Sequence, residues 1–164
     1  MQNARDTFYV TLRDRLAALN PVRTMVVRGV TRPGVLVEEN ELASAYHAVE
    51  TFCLRWTGLR VAGGAALPLV SMVCEIEYAT DGSAGNGGMD RGRRLAGMDA
   101  ELAAAVSMGP QNVVKMNFAG TAAVAMGTKV FWGDAVFGTA VADGERLKRT
   151  ASVEVFAYQE AGEL

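Results

Sequence analysis

Thr51-Phe52-Cys53-Leu54-Arg55-Trp56-Thr57 and Val70-Ser71-Met72-Val73-Cys74-Glu75-Ile76-Glu77-Tyr78 are the two runs whose reading decides the fold. Successive side chains of a strand point to opposite faces, so strict alternation marks a strand with one buried face. Phe52, Leu54 and Trp56 fall on one face of the first run, and Thr51, Cys53, Arg55 and Thr57 on the other. In the second run Val70, Met72, Cys74, Ile76 and Tyr78 share a face, opposite Ser71, Glu75 and Glu77. Gly63 and Gly64 lie between the runs and suit a turn, so the two strands are predicted to pair antiparallel.

Downstream of this pair, residues 81–88 read Asp-Gly-Ser-Ala-Gly-Asn-Gly-Gly, a stretch with little side chain to bury, which predicts a mobile surface loop. The period then changes to that of a helix. Leu95, Met98, Leu102 and Val106 form an apolar stripe, Asp90, Arg94 and Glu101 a polar one, and Gly109-Pro110 ends the pattern. Val113–Phe118 has the composition of a short strand, and the Ala- and Gly-rich stretch 119–128 reads as a second loop. Val130–Val141 returns to strand character. Asp143-Gly144 supplies a hairpin turn, and Leu147–Tyr158 forms a closing strand.

Upstream, Phe8, Leu12, Leu16 and Leu19 recur at helical spacing until Asn20-Pro21 stops them. Val22–Val30 is rich in β-branched residues and reads as a strand; Gly34–Val37 reads as another. Residues 38–50 carry Glu38, Glu39, Glu41 and Glu50 among alanines, a pattern open to loop or short helix. The order of elements lacks the regular strand–helix alternation of a parallel fold. It predicts an α+β fold: an antiparallel or mixed β-sheet packed against two main α-helices, with residues 1–164 as a single domain.

Half of the 164 residues are apolar, enough to build a sizeable core. Eighteen acidic against sixteen basic side chains give a net charge of −2, which provides no general attraction to nucleic acid or to an anionic membrane. The longest uncharged run, Val61–Cys74, is broken by Gly63, Gly64 and Pro68 and is too short to span a bilayer. No membrane span is expected, and the chain is expected to reside in the cytoplasm. Cys53 and Cys74 have no metal-ligand spacing and read as buried thiols.

His47 is the single histidine, without a second imidazole or a cysteine at ligand spacing, and no Gly-x-Ser-x-Gly turn presents a serine nucleophile. Glu75 and Glu77 read as a solvated face rather than as an acid–base pair. The glycine loop before the second helix invites comparison with a phosphate cradle, yet it has neither the lysine and hydroxyl of a P-loop nor Gly-x-Gly-x-x-Gly spacing. No catalytic residue, metal ligand or cofactor site is assigned. Arg91, Arg93 and Arg94 crowd the first turn of that helix, where the macrodipole disfavours cations. They call for acidic neighbours, either Asp81, Asp90 and Asp99 nearby or an acidic partner surface such as Glu38, Glu39 and Glu41 of another copy.

The layout resembles that of the tail terminator family of long-tailed bacteriophages. The resemblance rests on the helix ending near Pro21, the Pro33-Gly34-Val35-Leu36-Val37 strand, the paired strands around Trp56 and Met72, the helix from Asp90, and the closing strand Ala151-Ser152-Val153-Glu154-Val155-Phe156. It implies a non-enzymatic virion assembly protein that forms a homo-oligomeric ring, commonly a hexamer, capping the tail tube and joining it to head-completion proteins. It implies no metal or cofactor. A related minor tail or head–tail joining protein would share the layout. The rival expectation is a small phosphate- or nucleotide-binding enzyme using loop 81–88 and Arg91–Arg94.

Overall fold

A computed structural model describes residues 1–41, 48–63, 67–161 and 163, the side chains of residues 40 and 41 excepted. His47 and the turn residue Gly64 lie outside the described residues. The elements are α1 (Gln2–Leu19), β1 (Thr24–Val27), β2 (Val30–Pro33), β3 (Val35–Val37), α2 (Glu38–Glu41), β4 (Phe52–Ala62), β5 (Leu69–Thr80), α3 (Arg91–Ser107), β6 (Asn112–Asn117), β7 (Val124–Trp132), β8 (Val136–Phe137), β9 (Val141–Asp143) and β10 (Arg146–Tyr158).

Among the described residues the strands form a mixed eight-stranded sheet and a separate two-stranded ribbon, β1–β2. The large sheet runs β3-β4-β5-β10-β7-β6, with β8 and β9 also on β10. Its one parallel pair is β3–β4, Val35 beside Phe52 and Val37 beside Leu54. The chain is thus α+β, as the order of elements predicts.

The alternation in β4 and β5 is realised: Phe52 pairs with Tyr78 and Trp56 with Cys74, all with side chains in the core. A bulge between Trp56 and Gly58 shifts the register of the rest of the strand. α1 and α3 lie on that inner face, contributing Phe8, Leu12 and Leu16 from one and Leu95, Met98, Leu102 and Val106 from the other. Phe8 sets its ring edge-on between Trp56 and Trp132, centroids 5.9 and 5.5 Å away. Leu19, expected in the stripe of α1, is 42% exposed because the helix overhangs the core at its last turn. Arg15 of α1 donates to the carbonyls of Ala105, Met108 and Pro110, satisfying acceptors that the end of α3 leaves open.

Three expected boundaries are corrected. Val22–Val30 is not one strand: Arg28 and Gly29 take φ of 50° and 80°, the two positive angles of a tight hairpin turn, and the chain folds back as β2. The stretch 119–128 is loop only to residue 123, since β7 begins at Val124 and pairs with β6 through Asn117. Val130–Val141 is interrupted, with β7 ending at Trp132 and short β8 and β9 following along β10. Within 38–50, Glu38–Glu41 is helical.

Candidate assembly surface

Loop 81–88 has a definite shape. Its glycines permit close approach: a Cβ on Gly82, at φ +77°, would stand 2.7 Å from the Cα of Gly88 and 2.9 Å from Asp90 Oδ1. Asp90 accepts a 2.7 Å hydrogen bond from the Ser83 amide, and the Gly88 amide donates to the Ser83 carbonyl. The Ser83 amide holds the Asp90 carboxyl below the usual carboxylate range.

The arginine cluster at the start of α3 divides by role. Arg91 turns back to the β9–β10 turn and donates to the carbonyls of Glu145 at 2.7 Å and Gly144 at 3.4 Å. Arg94 lies 3.7 Å from Glu50 and 3.8 Å from Asp90. Arg93 is exposed, and no described acidic side chain forms an ion pair with it. The local compensation thus reaches two of the three arginines. Asp81 pairs instead with Arg146, and Asp99 with Arg149 and the hydroxyl of Tyr78. Desolvation and the hydrogen bond to Asp99 push the Tyr78 phenol well up from its ordinary value.

Glu38, Glu39 and Glu41 sit on α2 directly after β3. Glu39 pairs with Arg5 of α1 at 3.3 Å, and Glu38 borders Arg55, Glu75 and Glu77 on the outer sheet face. Glu38 and Glu39 form no ion pair with the arginines within one chain, and the side chain of Glu41 lies outside the described part. Glu75 is tied to Arg55 at 2.7 Å across β4–β5.

A hollow opens between loop 81–88 and the β9–β10 turn, where the rival phosphate site would lie. It is bordered by the carboxylates of Asp81 and Glu145, and Arg91 Nη1 is directed to backbone carbonyls. Among the described residues no group of three His, Cys, Asp or Glu side chains is placed to hold a metal ion, and no helix is long and apolar enough to cross a membrane. Cys53 and Cys74 are buried and unpaired by disulfide; burial raises the thiol pKa of Cys74 far above its usual value.

Two charge networks were invisible to local sequence reading. Arg23 bridges Glu101 and Glu50 at 2.8 and 3.2 Å, while Glu50 also accepts from the Thr80 hydroxyl. Burial opposes ionisation of Glu101, but hydrogen bonds from Arg23 and Asn20 outweigh it and lower its pKa. Lys115 on β6 is fully buried and donates to Glu163 Oε2 and to the Tyr158 carbonyl, each at 2.6 Å. The partners in both networks come from distant parts of the chain, so no spacing announces them.

The sheet presents two further features. β3 pairs with β4 only from Phe52 to Leu54, and among the described residues no strand flanks Arg55–Ala62 on that side. Leu59 and Val61 on this stretch are 51% and 48% exposed. At the opposite edge, β8 and β9 pair with β10 and, among the described residues, with no other strand.

No protein-family model matches the chain, and no curated protein matches it. Several solved structures match, among them one that is similar over 99% of both chains, with a TM-score of 0.52 and 16% sequence identity. At that identity the likeness is one of fold alone.

Proposed function

We propose that this chain is a structural assembly protein of the tail terminator kind, joining copies of itself into a ring that closes a phage tail tube and meets head-completion proteins. The observation that carries this reading is a sheet in which, among the described residues, no strand flanks Arg55–Ala62 of β4 or the outer side of β8 and β9. Unpaired edges are a liability in a protein that works alone and an asset in one that assembles. The layout of α1, β3, the β4–β5 pair, α3 and β10 supports the same reading. On it, the protein acts in the host cytoplasm during assembly and then in the virion, without catalysis or cofactor. Arg93, exposed at the start of α3, is available to an acidic partner surface.

The test is to mix gold-labelled chain with tail tubes grown from a purified tail-tube protein of a long-tailed phage. Label confined to tube ends in electron micrographs is the expected result. Label along the tube walls, or none bound, contradicts the proposal.

A further inference from the structure

We infer that copies of this chain join edge to edge, with the Arg55–Ala62 edge of β4 in one copy pairing with the Val136–Asp143 edge of β8 and β9 in the next. This rests on the self-assembly reading above and names the surface that performs it. A free strand edge presents unpaired N–H and C=O groups, and the ligand that satisfies them is another extended strand. The two edges lie at opposite sides of one sheet, so the contact is head-to-tail and propagates into a ring where the rotation closes. The terminal strands are already engaged: the Met116 amide of β6 donates to Thr7 Oγ1 of α1 at 2.9 Å, and the Val35 carbonyl of β3 accepts from Tyr9 and Arg32 at 3.4 and 3.3 Å.

The side chains agree face by face. On β4, Leu59 lies opposite Met72 and Val61 opposite Val70, hence on the inner face, although both are about half exposed. On the other edge Phe137 lies opposite Ala151 and Ala142 opposite Leu147, also on the inner face. A sheet continued between copies would lay Leu59 and Val61 beside Phe137 and Ala142, extending the core across the junction. On the outer face Arg60 lies opposite Ser71, while Asp143 lies opposite Arg146. Continuation brings the exposed cation Arg60 to the edge that carries Asp143, an exposed carboxylate that Lys148 engages through one oxygen at 3.0 Å. Opposite charges thus meet where the polar faces align, and apolar side chains meet where the apolar faces align.

Complementation tests the pairing. Leu59→Lys with Val61→Lys blocks the first edge, and Val136→Lys with Ala142→Lys blocks the second, all at exposed positions. Each variant alone should sediment as a single chain with the parent's circular dichroism. Mixed, they should give a 1:1 complex and nothing larger, since each supplies the intact edge that the other lacks; that rescue also shows that both are folded. If the second variant still associates alone, or both assemble as the parent does, the interface lies elsewhere and the inference is wrong while the assembly reading stands. A parent that stays monomeric from about 1 to 100 µM overturns the assembly reading as well.

Discussion

Lys115 Nζ and Glu163 Oε2 stand 2.6 Å apart in a site where the lysine side chain is 1% and the glutamate side chain 4% exposed. The amino group of Met1 reaches the other carboxylate oxygen of Glu163 at 3.3 Å, so this one side chain fastens both ends of the described chain to β6. Glu160 joins them by accepting from the amide and hydroxyl of Thr128 at 2.9 and 2.6 Å.

Removing Glu163 leaves the buried Lys115 with Glu160, 3.5 Å away, as its ionic partner among the described residues. Glu163→Gln should lower stability by about 1.5–3 kcal/mol, the range for a hydrogen bond to a charged group. Adding Lys115→Met should recover part of that loss, since the less well compensated ammonium goes with it. Urea unfolding of both variants measures the coupling; additive losses would show that the two groups do not act together.

The same glutamate predicts a pH dependence. Burial opposes its ionisation, but hydrogen bonds from Lys115 and the Glu160 amide outweigh burial, so its folded pKa lies below the ordinary value, and that of Glu101 does likewise. Stability from both is complete above about pH 4.3 and drains away as the pH falls through the folded values. Thermal melts from pH 6 to pH 3 should therefore show a steeper acid loss in the parent than in Glu163→Gln, and parallel curves would refute the assignment.

Leu95 and Leu102 are 2% and 0% exposed on the inner face of α3. Replacing either with Ala should cost about 2–5 kcal/mol. A loss under about 1 kcal/mol at both sites, measured by chemical denaturation, would place the helix face wrongly.

The arginines should separate in the same assay. Arg91→Ala removes two hydrogen bonds to the β9–β10 turn and should lower stability by about 0.5–1.5 kcal/mol. Arg93→Glu, with no described ion pair to lose, should leave the monomer's melting temperature unchanged and reduce the salt dependence of binding to an acidic partner.

Loop 81–88 carries five amides with acceptors, those of Gly82, Ser83, Asn86, Gly87 and Gly88, while Gly85 is exposed. Hydrogen exchange should be slower at Gly82, Ser83 and Gly88, which are half-buried, than at Gly85, and Asp90→Ala should release Ser83. Strong protection across the whole loop would contradict the expectation of a mobile surface loop.

Alternation and period carried the sequence reading where a single face decides burial. β4, β5, α3 and the closing strand are legible for that reason. The reading failed where burial is uniform or absent. In Val22–Val30 the Arg28-Gly29 pair passes for strand sequence, since arginine is no turn former, and the positive φ at both residues divides the stretch. Val124–Thr128 is too poor in large side chains to announce a strand, and forms one by pairing with β6. The arginine cluster was legible as a charge problem but not in its solution, because Glu50 and the Gly144 and Glu145 carbonyls reach it through the fold. Nothing in the sequence around Lys115 marks it as buried. Only the return of the C-terminal segment to β6 makes it a buried anchor.

The mass of the purified chain in solution, followed by light scattering as concentration rises, tests the central claim most directly. The account predicts a mass that climbs from one chain through multiples of it and levels off at a closed ring. A single-chain mass from about 1 to 100 µM would contradict it.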